Sequence, residues 1–207
     1  TCHIWPLNLA NCASCHGTPP TGTVFPNIAG RHSAHTTLSS NIVCATCHQG
    51  AGSGTTLHIN GTADVIIGST YNAKTGGAAL YNAAGNTCSN VSCHGGQTTP
   101  VWLTGSIDVN TQCASCHQPR ATSDQYNSQY SGRHSLHASA SIICVSCHDT
   151  TALAANHFTT LTTSAMEGPA SLTLLNAVNY TPGATAGTGS CNPSCHAAYG
   201  VSNPQTW

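Results

Sequence analysis

Apolar residues in this chain come in short clumps separated by stretches of Thr, Ser, Gly, Asn and Ala, and no helical or strand period is sustained for long. Segments such as "GTADVIIGST", "YNAKTGGAALYNAAGNT" and "NYTPGATAGTGS" are typical. The pattern predicts mostly irregular backbone. Exceptions are short helical turns where cysteine and histidine cluster, a short helix after His134, another after "AANH", and an isolated β-bridge near Val65 to Ile67.

A length of 207 residues suits one large domain or two small ones. The clumps are too few for an ordinary core: Leu, Ile, Val and Phe make up about 15% of the chain, below the roughly 20% at which a polypeptide core becomes doubtful. Yet charged residues are only 4%, which is not the composition of a solvated disordered chain. Something other than ordinary side chains has to fill the interior. What the chain has in excess is 13 cysteines and 13 histidines.

Four Lys/Arg and five Asp/Glu give a net charge of −1, so there is neither a basic patch for nucleic acid nor an acidic run for a cationic partner. No stretch approaches the roughly 18 apolar residues of a membrane span, and no signal segment is present, so a mature, exported chain is expected. The cysteine density points to an oxidising compartment, where cysteines are bridged or covalently occupied.

Twelve cysteines form six pairs, and in each the second is followed at once by histidine. The pairs are Cys12/Cys15-His16, Cys44/Cys47-His48, Cys88/Cys93-His94, Cys113/Cys116-His117, Cys144/Cys147-His148 and Cys191/Cys195-His196. Four have two intervening residues; Cys88/Cys93 has four and Cys191/Cys195 three. With histidine at about 6% of positions, six coincidences have a probability on the order of 10⁻⁷, so one chemistry is used six times. A thioredoxin-like dithiol needs one pair, structural zinc needs pairs combined into four-ligand sets, and a disulfide framework leaves the histidines unexplained. Cys-x-x-Cys-His is instead the attachment motif of c-type haem: two thiols add to the two vinyl groups, and the next residue turns its imidazole onto the iron. Six c-type haems are therefore expected, with the wider pairs bulging to reach the same vinyls.

"GRHSAH" at Gly30 to His35 recurs as "GRHSLH" at Gly132 to His137, and the other landmarks keep step at offsets of 99 to 103 residues. The chain is thus an internal duplication with three haems per half, 1–99 and 100–207. The boundary falls near Gly96 to Thr99, and close haems should fuse the halves into one continuous body.

Six histidines serve as proximal ligands in this scheme: His16, His48, His94, His117, His148 and His196. Six others, His32, His35, His58, His134, His137 and His157, recur as matched triples and become the distal ligands, with each His-x-x-His reaching two neighbouring haems. The lone Met166 has no counterpart in the first half and is expected to be packing, which leaves every iron bis-histidine and low in potential. Closed coordination leaves no position for a substrate and argues against catalysis. His3, beside Cys2 in "TCHIWP", is left over. It is a spare residue, a ligand for a haem of another subunit, or part of a seventh site held by one thioether.

The mixture of "CSNVSCH" with "CASCH" resembles bacterial multihaem c-type cytochromes, and more broadly the extracellular cytochrome filaments in which bis-histidine haems form a continuous chain. The resemblance implies mostly irregular coil and short helices wrapped around covalently bound haems. It also implies electron transfer, polymerisation of copies head to tail, and redox partner proteins or extracellular electron acceptors. The expected location is extracellular or at the cell surface, with the periplasm as the alternative.

Two features of the residues agree with a polymer. Soluble shuttles dock through charged patches, which a chain with nine Lys, Arg, Asp and Glu lacks. About 34 residues per haem is also too little protein to insulate each cofactor. The alternatives are a monomeric carrier and a multihaem oxidoreductase, the latter needing an open iron and a polar pocket built from Arg31, Arg120, Arg133 or Lys74. Asn60-Gly61-Thr62 and Asn90-Val91-Ser92 match the glycosylation acceptor pattern.

Overall fold

The computed structural model describes residues 12–38, 42–73, 77–117, 133–149, 180–182, 189–198, 200 and 204–206. Cys2, His3, Lys74, Arg120, His157, Met166 and the helix expected after "AANH" lie outside these residues. The chain divides into two units, Thr1–Ile107 and Asp108–Trp207.

In the first unit every helix is a single turn or little more. α1 (Ala13–His16) ends where Gly17 takes a φ of 74°, a conformation glycine reaches without strain. α2 (His32–Thr36) follows Gly30 and Arg31. It is stopped by its own hydroxyls, because Thr36 Oγ1 donates to the His32 carbonyl and Thr37 Oγ1 to that of Ser33, competing with continuation of the helix. α3 (Cys44–Cys47) ends at His48, whose neighbours form a parallel bridge to Ile66 through Gln49 N–H to Ile66 O (3.0 Å) and Ile66 N–H to Cys47 O (2.8 Å). That is the isolated bridge expected near Val65 to Ile67.

A hairpin follows, β1 (Leu80–Asn82) with β2 (Thr87–Ser89), in the register Leu80↔Ser89, Tyr81↔Cys88, Asn82↔Thr87. Its loop is set by Asn82, whose Oδ1 accepts from the N–H groups of Ala84 and Gly85, an Asx-type turn. The chain then returns along β2: Thr99 N–H donates to Cys88 O (2.8 Å) and Trp102 N–H to Asn86 O (2.6 Å). Arg31 also reaches across to donate to the Thr104 carbonyl at 2.6 Å. Residues 99–105 are therefore held by the first half, and its compact unit runs to Ile107, past the Gly96 to Thr99 landmark.

The second unit repeats the plan. α4 (His134–Ser139) is the helix expected after His134, and the three-stranded sheet orders β3 (Tyr180–Pro182), β4 (Gly189–Cys191) and β5 (Gln205–Thr206), all antiparallel. α5 (Ser194–Ala198) follows β4 directly. In both units the first cysteine of a wide pair sits on the second strand of a hairpin, Cys88 facing Tyr81 and Cys191 facing Tyr180.

Among the described residues the buried hydrophobic side chains are Ala73, Val91 and Cys191. Apolar residues beside the Cys-His turns face outward instead, with Val43 57% and its counterpart Ile143 64% exposed. None of the described helices is long and apolar enough to cross a membrane. A chain of this size would ordinarily bury about 70% of its extended surface around one core, so these side chains alone do not supply the usual driving force. Expressed without haem attachment, the chain should lack a cooperative thermal transition by circular dichroism. A sharp two-state melt of the haem-free chain would contradict this.

Candidate metal centres

The four Cys-x-x-Cys-His segments share one bond. The histidine N–H donates to the carbonyl of the first cysteine, four residues back, at 3.0 Å for His16 to Cys12 and 2.9 Å for His48 to Cys44, His117 to Cys113 and His148 to Cys144. Two thiols and an imidazole thus leave one tight turn. The second cysteine can itself be held by a bond to the first: the N–H of Cys15 donates to Cys12 O at 3.3 Å, that of Cys116 to Cys113 O at 3.2 Å and that of Cys147 to Cys144 O at 3.1 Å. In the wide pairs the histidine reaches three residues back instead, His94 to Val91 O (3.0 Å) and His196 to Pro193 O (3.2 Å). The extra residues are absorbed upstream. Between Cys88 and Cys93, Asn90 adopts a φ of 55°. Between Cys191 and Cys195, Pro193 directly precedes α5, and proline suits a helix start because its missing N–H would have had no helical partner.

The expected tethering cysteines differ in how far the polypeptide covers them. Cys191 is buried and Cys47, Cys88, Cys93, Cys113, Cys116 and Cys147 are half-buried, but Cys15 is exposed, as are Cys12, Cys44, Cys144 and Cys195. Both cysteines of the first pair, Cys12 and Cys15, thus stand open.

The histidines meet in pairs. His16 lies 6.2 Å from His58, His32 6.4 Å from His48, His35 6.0 Å from His94, His134 6.2 Å from His148, and His137 6.2 Å from His196, measured between ring centroids. Each pair joins one Cys-His histidine to one of the remaining histidines. His117 corresponds to His16 in the repeat, and the counterpart of His58 is His157, outside the described residues.

The five separations fall in one narrow range, 6.0–6.4 Å. A nitrogen–metal bond of about 2 Å, with the ring centre about 1.1 Å behind the nitrogen, puts two imidazoles on opposite sides of one metal about 6.2 Å apart. The paired residues therefore fit a metal held between them.

Backbone carbonyls fix which nitrogen is available. His32 Nδ1 lies 2.8 Å from Ala29 O, His35 Nδ1 2.9 Å from Arg31 O, His48 Nδ1 2.7 Å from Asp64 O and His137 Nδ1 2.9 Å from Arg133 O. A carbonyl only accepts, so Nδ1 carries the proton and the Nε2 lone pair is left for a metal. His94 is further biased toward the neutral ring: burial, and secondarily the neighbouring His35, push its pKa down to about 4.

The described cysteines are free of disulfides. Burial raises the Cys47 thiol to about 11, helped by Cys88 and Cys44. Cys44 is raised by burial and by a hydrogen-bonded Cys12, Cys113 by burial and a hydrogen-bonded Cys144, and Cys147 by burial with Cys195 and Cys191 nearby. A redox dithiol requires the opposite, a lowered pKa. Sulfurs of successive turns are therefore neighbours, first with second and second with third in the first unit, and likewise in the second.

Among the described residues no three or more His, Cys, Asp or Glu converge on a point, so pairs do not combine into the four-ligand sets of structural zinc. Haem iron fits better. It would need two imidazoles rather than four converging ligands, it would take up paired thiols such as the open Cys12 and Cys15, and it would offer apolar surface to outward-facing residues such as Val43 and Ile143. Arg31 adds a buried Nε with no hydrogen-bond partner, which a haem propionate would satisfy. No family model, curated protein or solved structure matches the chain.

Motif reading passed over Trp102. Its indole centroid lies 5.1 Å from both His32 and His35; the only trace in the sequence is a tryptophan eight positions after His94. The wide turn gives a direct test. Asn90→Val should lower stability by about 1–2 kcal/mol, because asparagine tolerates a left-handed backbone that a β-branched residue does not, whereas Asn90→Gly should be tolerated. Thermal melts of the haem-loaded variants measure the difference, and equal melting temperatures would count against the assigned turn.

Proposed function

We propose that this chain is a hexahaem c-type cytochrome that relays electrons along closely spaced bis-histidine haems, as the subunit of an extracellular filament. The observation that carries the reading is the recurrence of one imidazole spacing in five pairs, each joining a Cys-His turn to a histidine that the duplication had already singled out.

Haem, when bound, supplies reversible one-electron chemistry at iron. The residues supply everything else. The six cysteine pairs tether, the twelve histidines His16, His32, His35, His48, His58, His94, His117, His134, His137, His148, His157 and His196 ligate, and the backbone carbonyls hold the Nδ1 protons. Neighbouring thiols of successive turns favour a path that follows chain order within each unit. Imidazole on both sides leaves no coordination position for a substrate, which favours electron transfer over the oxidoreductase alternative. The filament rests on the resemblance and on the scarcity of charged side chains: a polypeptide with little charge suits burial against copies of itself better than transient electrostatic docking.

Intact mass of native protein should show six haem additions, and ferric spectra should be low-spin throughout; a high-spin fraction would revive an open, catalytic iron. Ring planes make a finer forecast. They are near-parallel in His32–His48, His134–His148 and His137–His196, at 20°, 13° and 15°, but crossed in His35–His94 and His16–His58, at 57° and 70°. Electron paramagnetic resonance should therefore show two low-spin classes, rhombic and strongly anisotropic. Cryo-electron microscopy of material sheared from producing cells tests the polymer, and isolated monomers would leave a discrete carrier.

A further inference from the structure

His35–His94 and its repeat counterpart His137–His196 share their local chemistry. In each, the first histidine sits in a His-x-x-His helix, and its Nδ1 lies 2.9 Å from the carbonyl of the residue four positions back. Yet the ring planes cross at 57° in the first pair and 15° in the second. The shared hydrogen bond therefore does not determine the angle.

A further group touches the first pair. The Trp102 indole stands edge-on to His32, at 84°, and tilted by 32° against His35, both at 5.1 Å, within the normal range of aromatic contact. Three attachments hold it there. The backbone N–H of Trp102 donates to Asn86 O at 2.6 Å, and Arg31 donates to the Thr104 carbonyl two residues on. The indole nitrogen also lies so close over Gly30, whose φ is 45°, that a Cβ at that position would overlap it.

We propose that Trp102 is a positioning residue, wedged between His32 and His35, that holds the His35 ring crossed against His94 and so gives the third site a ligand geometry unlike that of its repeat counterpart. The inference rests on the haem reading above. An imidazole turns easily about its bond to iron, so a hydrogen bond at one edge and an indole against the ring together fix its plane. Crossed planes split the iron d orbitals less than parallel ones. That makes the plane readable in the ferric spectrum and in the midpoint potential.

The test uses the full, haem-loaded chain. Trp102→Ala should keep six haems by intact mass but convert a strongly anisotropic low-spin signal to the rhombic class, with one midpoint potential shifted. Trp102→Phe, which keeps an aromatic ring beside His35, should restore the original spectrum. Gly30→Ala, which displaces the indole while leaving Trp102 in the chain, should reproduce the alanine effect and decides the matter if Trp102→Ala fails to load. Unchanged spectra and potentials in Trp102→Ala, or in Gly30→Ala when it stands in, would overturn the role of Trp102. Absence of bis-histidine signals from the wild-type protein would instead overturn the haem reading itself.

Discussion

Two imidazoles held about 6.2 Å apart, as in His16–His58 and His137–His196, are the constraint on which the rest of this structure depends. The backbone serves the spacing. Short turns present Nε2 by tying Nδ1 to a carbonyl, and α2 ends after little more than one turn because Thr36 and Thr37 bond back onto it. With so few buried hydrophobic side chains, a longer helix would have no core to lie on.

The Cys-His turns, the duplication and the division of the histidines into those that follow a cysteine and those that do not were legible in the sequence because each is a local or periodic signal. Cys-His adjacency needs no tertiary information, and the bridge at Ile66 followed from a short β-branched clump. Which histidine meets which was not legible. His32 and His35 are three residues apart, yet one meets His48 and the other His94, a choice made by long-range packing. Trp102 was missed for the same reason, since it is brought to α2 by the irregular segment that returns along β2. Thiol exposure was hidden too: Cys15 and Cys116 occupy the same place in the same motif, "CASCH", yet one is exposed and the other half-buried, because cover comes from residues distant in the chain.

The wide pairs show how one chemistry tolerates two backbones. Cys88 and Cys191 belong to strands, whereas the first cysteines of the narrow pairs lie in or directly before helical turns. The longer spacing provides the residues needed to leave a ladder and enter a turn. In the first unit this passes through Asn90 at positive φ, and in the second through Pro193. Spacing that looks irregular in the motif is thus the length of a strand-to-turn junction.

The order of ligands along the chain has a topological consequence. His32–His48 is nested within His16–His58, but His35–His94 crosses both, and His134–His148 is crossed in the same way by His137–His196. Crossed pairings make the unit a weave rather than a string of separable beads. A break anywhere between His35 and His58 parts the members of at least two pairs. The first unit therefore cannot be divided between His35 and His58 without separating histidines that the fold brings together.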